Sequence, residues 1–80
     1  MKILVVEDHR SSLDALLQSV RHFGATAIPA ESGSAALAAF VSERPDLVLL
    51  DSVLPDISGF EVAQKIRAQE TPGDWTPIIF

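Results

Sequence analysis

The chain has 80 residues, of which 48% are apolar, and a formal net charge of −5, values that fit one small globular domain. Because nucleic-acid-binding surfaces are normally basic, this acidic balance argues against a nucleic-acid partner for the segment. The absence of cysteine excludes disulfide bonds and cysteine-ligated zinc. No apolar run has the length of a signal peptide core or a membrane span, so we expect a soluble, cytoplasmic protein without membrane contact.

Short apolar runs and stretches of helical periodicity alternate from the amino terminus onwards. The first strand is predicted at about Lys2 to Val6, and it runs directly into two acids, Glu7 and Asp8. Apolar residues then recur on one helix face from Leu13 to Phe23, which predicts a first helix. Ser11 resembles the start of a capping box for this helix.

The middle of the chain contains the most apolar strand. Thr26 to Ala30 is a weaker strand candidate, and Pro29 should confine it to a sheet edge because proline cannot donate to a ladder. A second helix is predicted from Ser34 to Glu43, and Pro45 ends it. The strand from Asp46 to Asp51 shows no polar alternation, which predicts that helices cover both of its faces.

A third helix and a fourth strand complete the pattern. Ser58 and Glu61 form a capping box that predicts the start of the helix, with Phe60 on its apolar stripe. Thr76 to Phe80 opens the strand. Because helices separate the strands, the crossovers should be right-handed and the sheet parallel. With Pro29 at an edge, the predicted sheet order is 2-1-3-4, a doubly wound α/β fold.

This order predicts a crevice at the carboxyl ends of the first and third strands, where the chain winds away in both directions. Glu7, Asp8 and Asp51 all reach that crevice. Crowded carboxylates repel one another, and a divalent cation is the usual compensation. An all-oxygen ligand set favours Mg²⁺ or Mn²⁺. Since Mg²⁺ often binds phosphate oxygens as well, and an aspartate can act as a nucleophile, the site predicts phosphoryl transfer.

Four segments carry a resemblance to the receiver domain of two-component response regulators. They are Lys2–Asp8 (KILVVED), Pro45–Asp51 (PDLVLLD), Asp51–Gly59 (DSVLPDISG) and Thr76–Phe80 (TPIIF), in matching order and spacing. The resemblance implies a flavodoxin-like fold. It also implies a phosphoacceptor module with self-catalysed phosphotransfer, which is not an enzyme. Its partners would be a sensor histidine kinase or phosphotransfer protein, and an output domain or partner that it switches.

The resemblance also implies roles for residues at matching positions. Asp51 would be the phosphoacceptor and a metal ligand, and Asp8 a direct ligand of Mg²⁺. Glu7 would act mainly through metal-bound water, and the backbone carbonyl of Val53 would be a further ligand. Two residues would shape the loop behind the acceptor: Pro55 and Gly59.

The chain departs from the family pattern at its end. Family members carry a threonine or serine just after the fourth strand, then a lysine at the end of a fifth, whereas this chain stops at Phe80. We therefore expect residues 1–80 to be the N-terminal part of a receiver domain, lacking the fifth strand and the last two helices. Its chemistry should be impaired as it stands. The apolar segment from Ile78 to Phe80 predicts self-association through an exposed sheet edge.

Other interpretations stay open beside the receiver hypothesis. A truncated or pseudo-receiver could act as a protein-interaction module without phosphorylation. A phosphatase with an aspartate nucleophile is disfavoured, because Val53 occupies the position where such enzymes usually carry a second aspartate.

Three further residues are predicted to have structural and not catalytic roles. His9 is interpreted as a solvated loop histidine, Asp56 as a turn residue and Trp75 as a residue that covers the end of the sheet.

Overall fold

Strands and helices alternate along the whole chain, as the hydrophobic pattern predicts. The computed structural model describes residues 1–80. The strands are β1 (Lys2–Val6), β2 (Thr26–Ala30), β3 (Leu47–Leu50) and β4 (Ile78–Ile79), and the helices are α1 (Arg10–His22), α2 (Gly33–Glu43) and α3 (Gly59–Gln69). No helix combines the length and the apolar character that crossing a membrane requires.

The four strands form one parallel sheet in the order β2-β1-β3-β4, which confirms the predicted order. Pro29 lies in the outer strand β2, opposite Val5. In the β1–β3 pair, Val6 lies opposite Leu50, and the Asp51 N–H donates to the Val6 carbonyl over 3.0 Å. The residues that follow these strands therefore leave the sheet side by side.

The core has one part on each face of the sheet. On one face, α2 and α3 pack against the sheet through nine buried residues of the strands and of these helices: Leu4, Val6, Ala30, Ala36, Phe40, Val48, Leu50, Val62 and Ile66. On the other face, α1 packs against the sheet through a smaller cluster: Val5, Leu13, Leu17 and Val20. A single helix covers less of its face, so Leu47 and Leu49 of β3 are only half-buried. Helices therefore lie on both faces of β3, as predicted, but burial is complete only on the face covered by α2 and α3.

The ends of α1 differ from the capping prediction. The N-cap residue is His9, without a side-chain cap bond, so the helix begins one residue before Ser11 and that predicted cap is wrong. At the other end, Phe23 is 86% exposed because it lies beyond the last helical turn. Gly24 follows with a φ of 87°, the left-handed conformation that glycine adopts at low cost.

Helix α3 begins where its capping box predicts. The Ser58 hydroxyl accepts the N–H of Glu61 over 3.2 Å. The buried face is formed by Val62 and Ile66, one turn apart, whereas Phe60 is exposed and lies against the ring of Phe80. Phe60 therefore does not belong to the core stripe on which the periodicity placed it.

A polar network connects the end of α3 to β4. The Arg67 guanidinium donates to the Glu70 carboxylate and to the Thr76 carbonyl, and the Thr76 N–H donates back to Glu70. The Glu70 side chain is only 7% exposed, so its charge is balanced where it is buried. Trp75 is largely exposed, and Arg67 lies 4.7 Å from the centre of its ring. The prediction that Trp75 covers the end of the sheet is therefore wrong.

Candidate functional site

Two carboxyl groups meet where β1 and β3 end. Glu7 follows β1 and Asp51 follows β3, and both side chains are half-buried. Their positions are held by backbone bonds, because the Glu7 N–H donates to the Ala30 carbonyl and the Asp51 N–H donates to Val6, each over 3.0 Å. The parallel register therefore places the two acids next to each other.

The carboxyl groups of Glu7 and Asp51 lie close enough to shift each other's pKa. The neighbouring Asp51 carboxyl group, burial and the negative charge of Asp8 raise the pKa of Glu7. The neighbouring Glu7 carboxyl group and the amide of Val53 lower the pKa of Asp51. The anionic form is therefore favoured at Asp51 relative to Glu7.

Asp8 and His9 lie on the exposed rim of this pair. Potential ligand atoms of Glu7, Asp8 and His9 all lie within 4.8 Å of one another. Glu7 is thus close to both other predicted acids, whereas Asp51 does not belong to the group formed by Glu7, Asp8 and His9. The exposed position of His9 matches its predicted loop character. Its closeness to the acids follows from its position directly after Asp8 in the sequence.

The segment of residues 52–58 after β3 is called the acceptor loop below. Within it, the Val53 N–H donates to Asp51 Oδ1 over 3.2 Å. The Gly59 N–H donates to the Ser52 carbonyl over 2.9 Å. A Cβ atom at Gly59 would lie 2.2 Å from the Asp51 carbonyl oxygen, so this close approach requires glycine. Gly59 directly follows the loop, and exposed Pro55 lies within it. The loop-shaping roles of both residues stay predictions.

Asp56 makes a tertiary contact that sequence reasoning missed. Its Oδ1 accepts the Gly33 N–H over 2.7 Å, and its Oδ2 accepts the Ser34 N–H over 2.9 Å. The amides of Ser34 and Gly33 lower the pKa of Asp56 to about 2, so the carboxylate is ionised at neutral pH. The sequence shows an aspartate in one loop and a helix start whose first amides need acceptors. It does not show that the fold brings these two segments together.

The donor set of this site fits a hard divalent cation. The negative charges of Asp51 and Asp8 disfavour ionisation of Glu7, and a bound cation would relieve this repulsion. The available side-chain oxygens of Glu7, Asp8 and Asp51 suit Mg²⁺ or Mn²⁺. The ligand roles of these residues and of the Val53 carbonyl stay predictions.

A hollow of about 300 Å³ adjoins the acid pair. Glu7 and Asp51 form its polar wall, and its apolar lining includes Leu16, Ile79 and Phe80. The carboxylates are therefore open to an approaching group on this side and are not sealed in the core.

Comparison with known proteins gives consistent matches. The model of the response regulator receiver domain family matches residues 3–80. The chain is 43% identical over 74 residues to the virulence sensor protein BvgS of Bordetella pertussis, covering 91% of this chain and 6% of that protein. It is 39% identical over 69 residues to the alkaline phosphatase synthesis transcriptional regulatory protein PhoP of Bacillus subtilis, covering 86% and 29%.

A solved structure shares both fold and sequence with this chain. The response regulator protein TrrA of Thermotoga maritima, crystallised in complex with Mg(2+)-BeF, is 40% identical with a TM-score of 0.83. The match covers 86% of this chain and 60% of that one. The chain thus spans less than two thirds of the solved relative and a smaller part of the two curated ones.

Proposed function

Because the chain belongs to the response regulator receiver domain family, we propose that it accepts a phosphoryl group on Asp51 in a reaction that depends on Mg²⁺. The observation that carries this proposal is the closeness of the Glu7 and Asp51 carboxyl groups at the ends of β1 and β3, where the pKa of Asp51 is lowered and its anionic form is favoured. An ionised carboxylate is the form that can attack phosphorus.

In the proposed reaction, a carboxylate oxygen of Asp51 attacks the phosphorus of a phosphohistidine. The O–P bond forms as the N–P bond breaks, and the departing histidine nitrogen takes the electron pair and then a proton from solvent. A bound Mg²⁺ would neutralise charge on the transferring group. Asp8, Asp51 and the Val53 carbonyl would hold it, with Glu7 acting mainly through metal-bound water. The Val53 N–H orients Asp51 through its 3.2 Å bond.

The proposed partners follow from the family. The phosphoryl donor would be a cytoplasmic sensor histidine kinase domain or a phosphotransfer protein, and the modified state would shift a conformational equilibrium that an output domain or partner detects. The matched relatives include both a sensor and a transcriptional regulatory protein, which supports a module that serves different outputs. We propose a phosphoacceptor that passes on a signal, not an enzyme that turns over a substrate.

An interaction module that works without phosphorylation is the second candidate. Ile79 and Phe80 are 52% and 58% exposed at and beside the edge strand β4. An unpaired apolar edge of this kind favours pairing with another chain, including a second copy. This candidate predicts no cation-dependent phosphoryl uptake.

The test uses a complete receiver domain, made by extending residues 1–80 with the fifth strand and two further helices that the family resemblance implies. With Mg²⁺ and a small acyl phosphate as donor, we expect intact mass spectrometry to show one added phosphoryl group that hydroxylamine removes. Chelation of the metal with EDTA should abolish the labelling, because the crowded carboxylates then lack their counter-charge. Labelling that is unaffected by EDTA, or absent with Mg²⁺, would contradict the proposal.

A further inference from the structure

We propose that Asp56 is a positioning residue, whose carboxylate fastens the acceptor loop to the N-terminus of α2 and thereby keeps the loop in place for cation binding beside Asp51. This inference rests on the proposed function, which gives the loop its role. Asp56 is given no direct contact with the cation, because its oxygens face the N-terminus of α2 and it does not lie among the grouped ligand atoms of Glu7, Asp8 and His9.

The Asp56 carboxylate completes the start of α2. A helix leaves its first amides without partners inside the helix. Here the Ala35 N–H donates to the Ser32 hydroxyl and the Ala36 N–H to the Ser32 carbonyl, so Ser32 serves the later amides. The two earliest amides, those of Gly33 and Ser34, donate to Asp56, which lies 23 residues beyond Gly33. A cap supplied from another loop joins two segments that are distant in sequence.

The neighbouring residue of the loop strengthens this junction. A Cβ atom at Gly33 would lie 2.4 Å from Cγ1 of Ile57, so the Ile57 side chain lies directly against the first residue of α2. Ile57 also packs against the larger core cluster. Asp56 and Ile57 therefore dock at one place, the former through hydrogen bonds and the latter through packing.

The stretch between the anchors depends on them. At one end of the loop, Gly59 packs against the backbone of Asp51 and Ser52. Nearer the middle, Asp56 and Ile57 hold the loop against the N-terminus of α2. Between these points, the Val53 side chain is 74% exposed and contributes little packing. The Val53 N–H bond to Asp51 and the predicted ligand carbonyl of Val53 thus depend on anchors that lie elsewhere in the loop.

The contact between the acceptor loop and α2 is also connected to Glu7, the second residue of the acid pair. Ala30 ends β2, accepts the N–H of Glu7, and is separated from Gly33 only by the turn that begins α2. The β2–α2 turn is thus bonded to the backbone of Glu7 on one side and to Asp56 on the other. Asp56 connects the loop that follows β3 to the turn that supports the end of β1.

The test compares Mn²⁺ binding by four forms of the 80-residue chain: wild type, Asp56→Ala, Asp56→Asn and Asp46→Ala. Asp46 is a matched control, because its carboxylate also accepts a distant backbone N–H, that of Lys2, over 2.7 Å at the opposite end of the sheet. We expect Asp56→Ala to raise the Kd for Mn²⁺ about 10-fold, the lower end of the usual effect of losing an outer support of a metal site. Asp56→Asn should rescue part of the affinity through its remaining carbonyl oxygen, and Asp46→Ala should leave the Kd unchanged.

Amide hydrogen exchange on the same proteins gives an independent result. In Asp56→Ala the amides of Gly33 and Ser34 should exchange faster, and so should that of Val53, which is not bonded to Asp56. Unchanged exchange at Val53, or an equal loss of Mn²⁺ affinity in Asp46→Ala, would overturn the positioning role. Absence of Mn²⁺ binding in both the wild-type chain and the complete receiver domain, or equal binding by an Asp51→Asn chain, would instead overturn the proposed function.

Discussion

Replacing Asp51 with asparagine in the complete receiver domain is expected to abolish phosphoryl uptake from a small phosphodonor in the presence of Mg²⁺. Asparagine keeps the shape of the side chain but has no anionic oxygen to attack phosphorus. It also removes the negative charge that, beside Glu7 and Asp8, makes the site attractive to a cation. Intact mass spectrometry before and after addition of the donor measures the effect directly.

Asp46→Asn is the control for this substitution. Asp46 precedes the same strand that Asp51 follows, but it lies at the opposite end of the sheet, where its carboxylate accepts the Lys2 N–H. Its asparagine variant should be labelled to the same extent as the wild type. Full labelling of Asp51→Asn would remove Asp51 from the acceptor role, and equal loss in both variants would indicate a general effect on folding.

Replacing Gly59 with alanine is expected to destabilise the chain by about 3 kcal/mol, the upper part of the usual range for overpacking. The added methyl group would meet the Asp51 carbonyl oxygen at 2.2 Å and the Ser52 Cα at 2.8 Å. These are backbone atoms at the root of the acceptor loop, and neither can rotate away. Relief of the clash would require α3 and the loop to separate, which also displaces Asp51.

Gly33→Ala is a matched comparison for Gly59→Ala. Both glycines are the first residue of a helix that follows a serine N-cap. The closest neighbours at Gly33 are side-chain atoms of Ile57 and Val62, which can adjust more readily than backbone. Urea unfolding followed by circular dichroism should therefore show a smaller loss for Gly33→Ala. A loss for Gly59→Ala that is equal to or below that of Gly33→Ala would contradict the assigned role of the backbone contact.

The sheet order and the meeting of the acids could be predicted because both follow from local rules. Pro29 assigns β2 to an edge, and the helices between strands make the sheet parallel. In a parallel sheet, carboxyl ends lie together, so acids that directly follow two neighbouring strands must be close. The closeness of Glu7 and Asp51 required nothing beyond this.

Features that depend on tertiary packing could not be predicted. Phe23 and Phe60 continue an apolar period, but whether such a residue is buried depends on what lies opposite it, and here both are exposed. Ser11 is a good capping residue, yet the chain enters α1 one residue earlier, at Arg10. Asp56 looks like a turn residue until the fold brings the N-terminus of α2 against its loop.

The central claim is that the strand ends of β1 and β3 form one site in which Asp51 receives the phosphoryl group. The most direct test is to label the complete receiver domain with Mg²⁺ and a phosphodonor, reduce it with borohydride and map the peptides by mass spectrometry. Reduction converts a phosphorylated aspartate to homoserine and so marks the modified residue. We predict homoserine at position 51 and at no other position. Homoserine at Asp8, or label recovered on His9 or His22 with Asp51 unmodified, would contradict the claim.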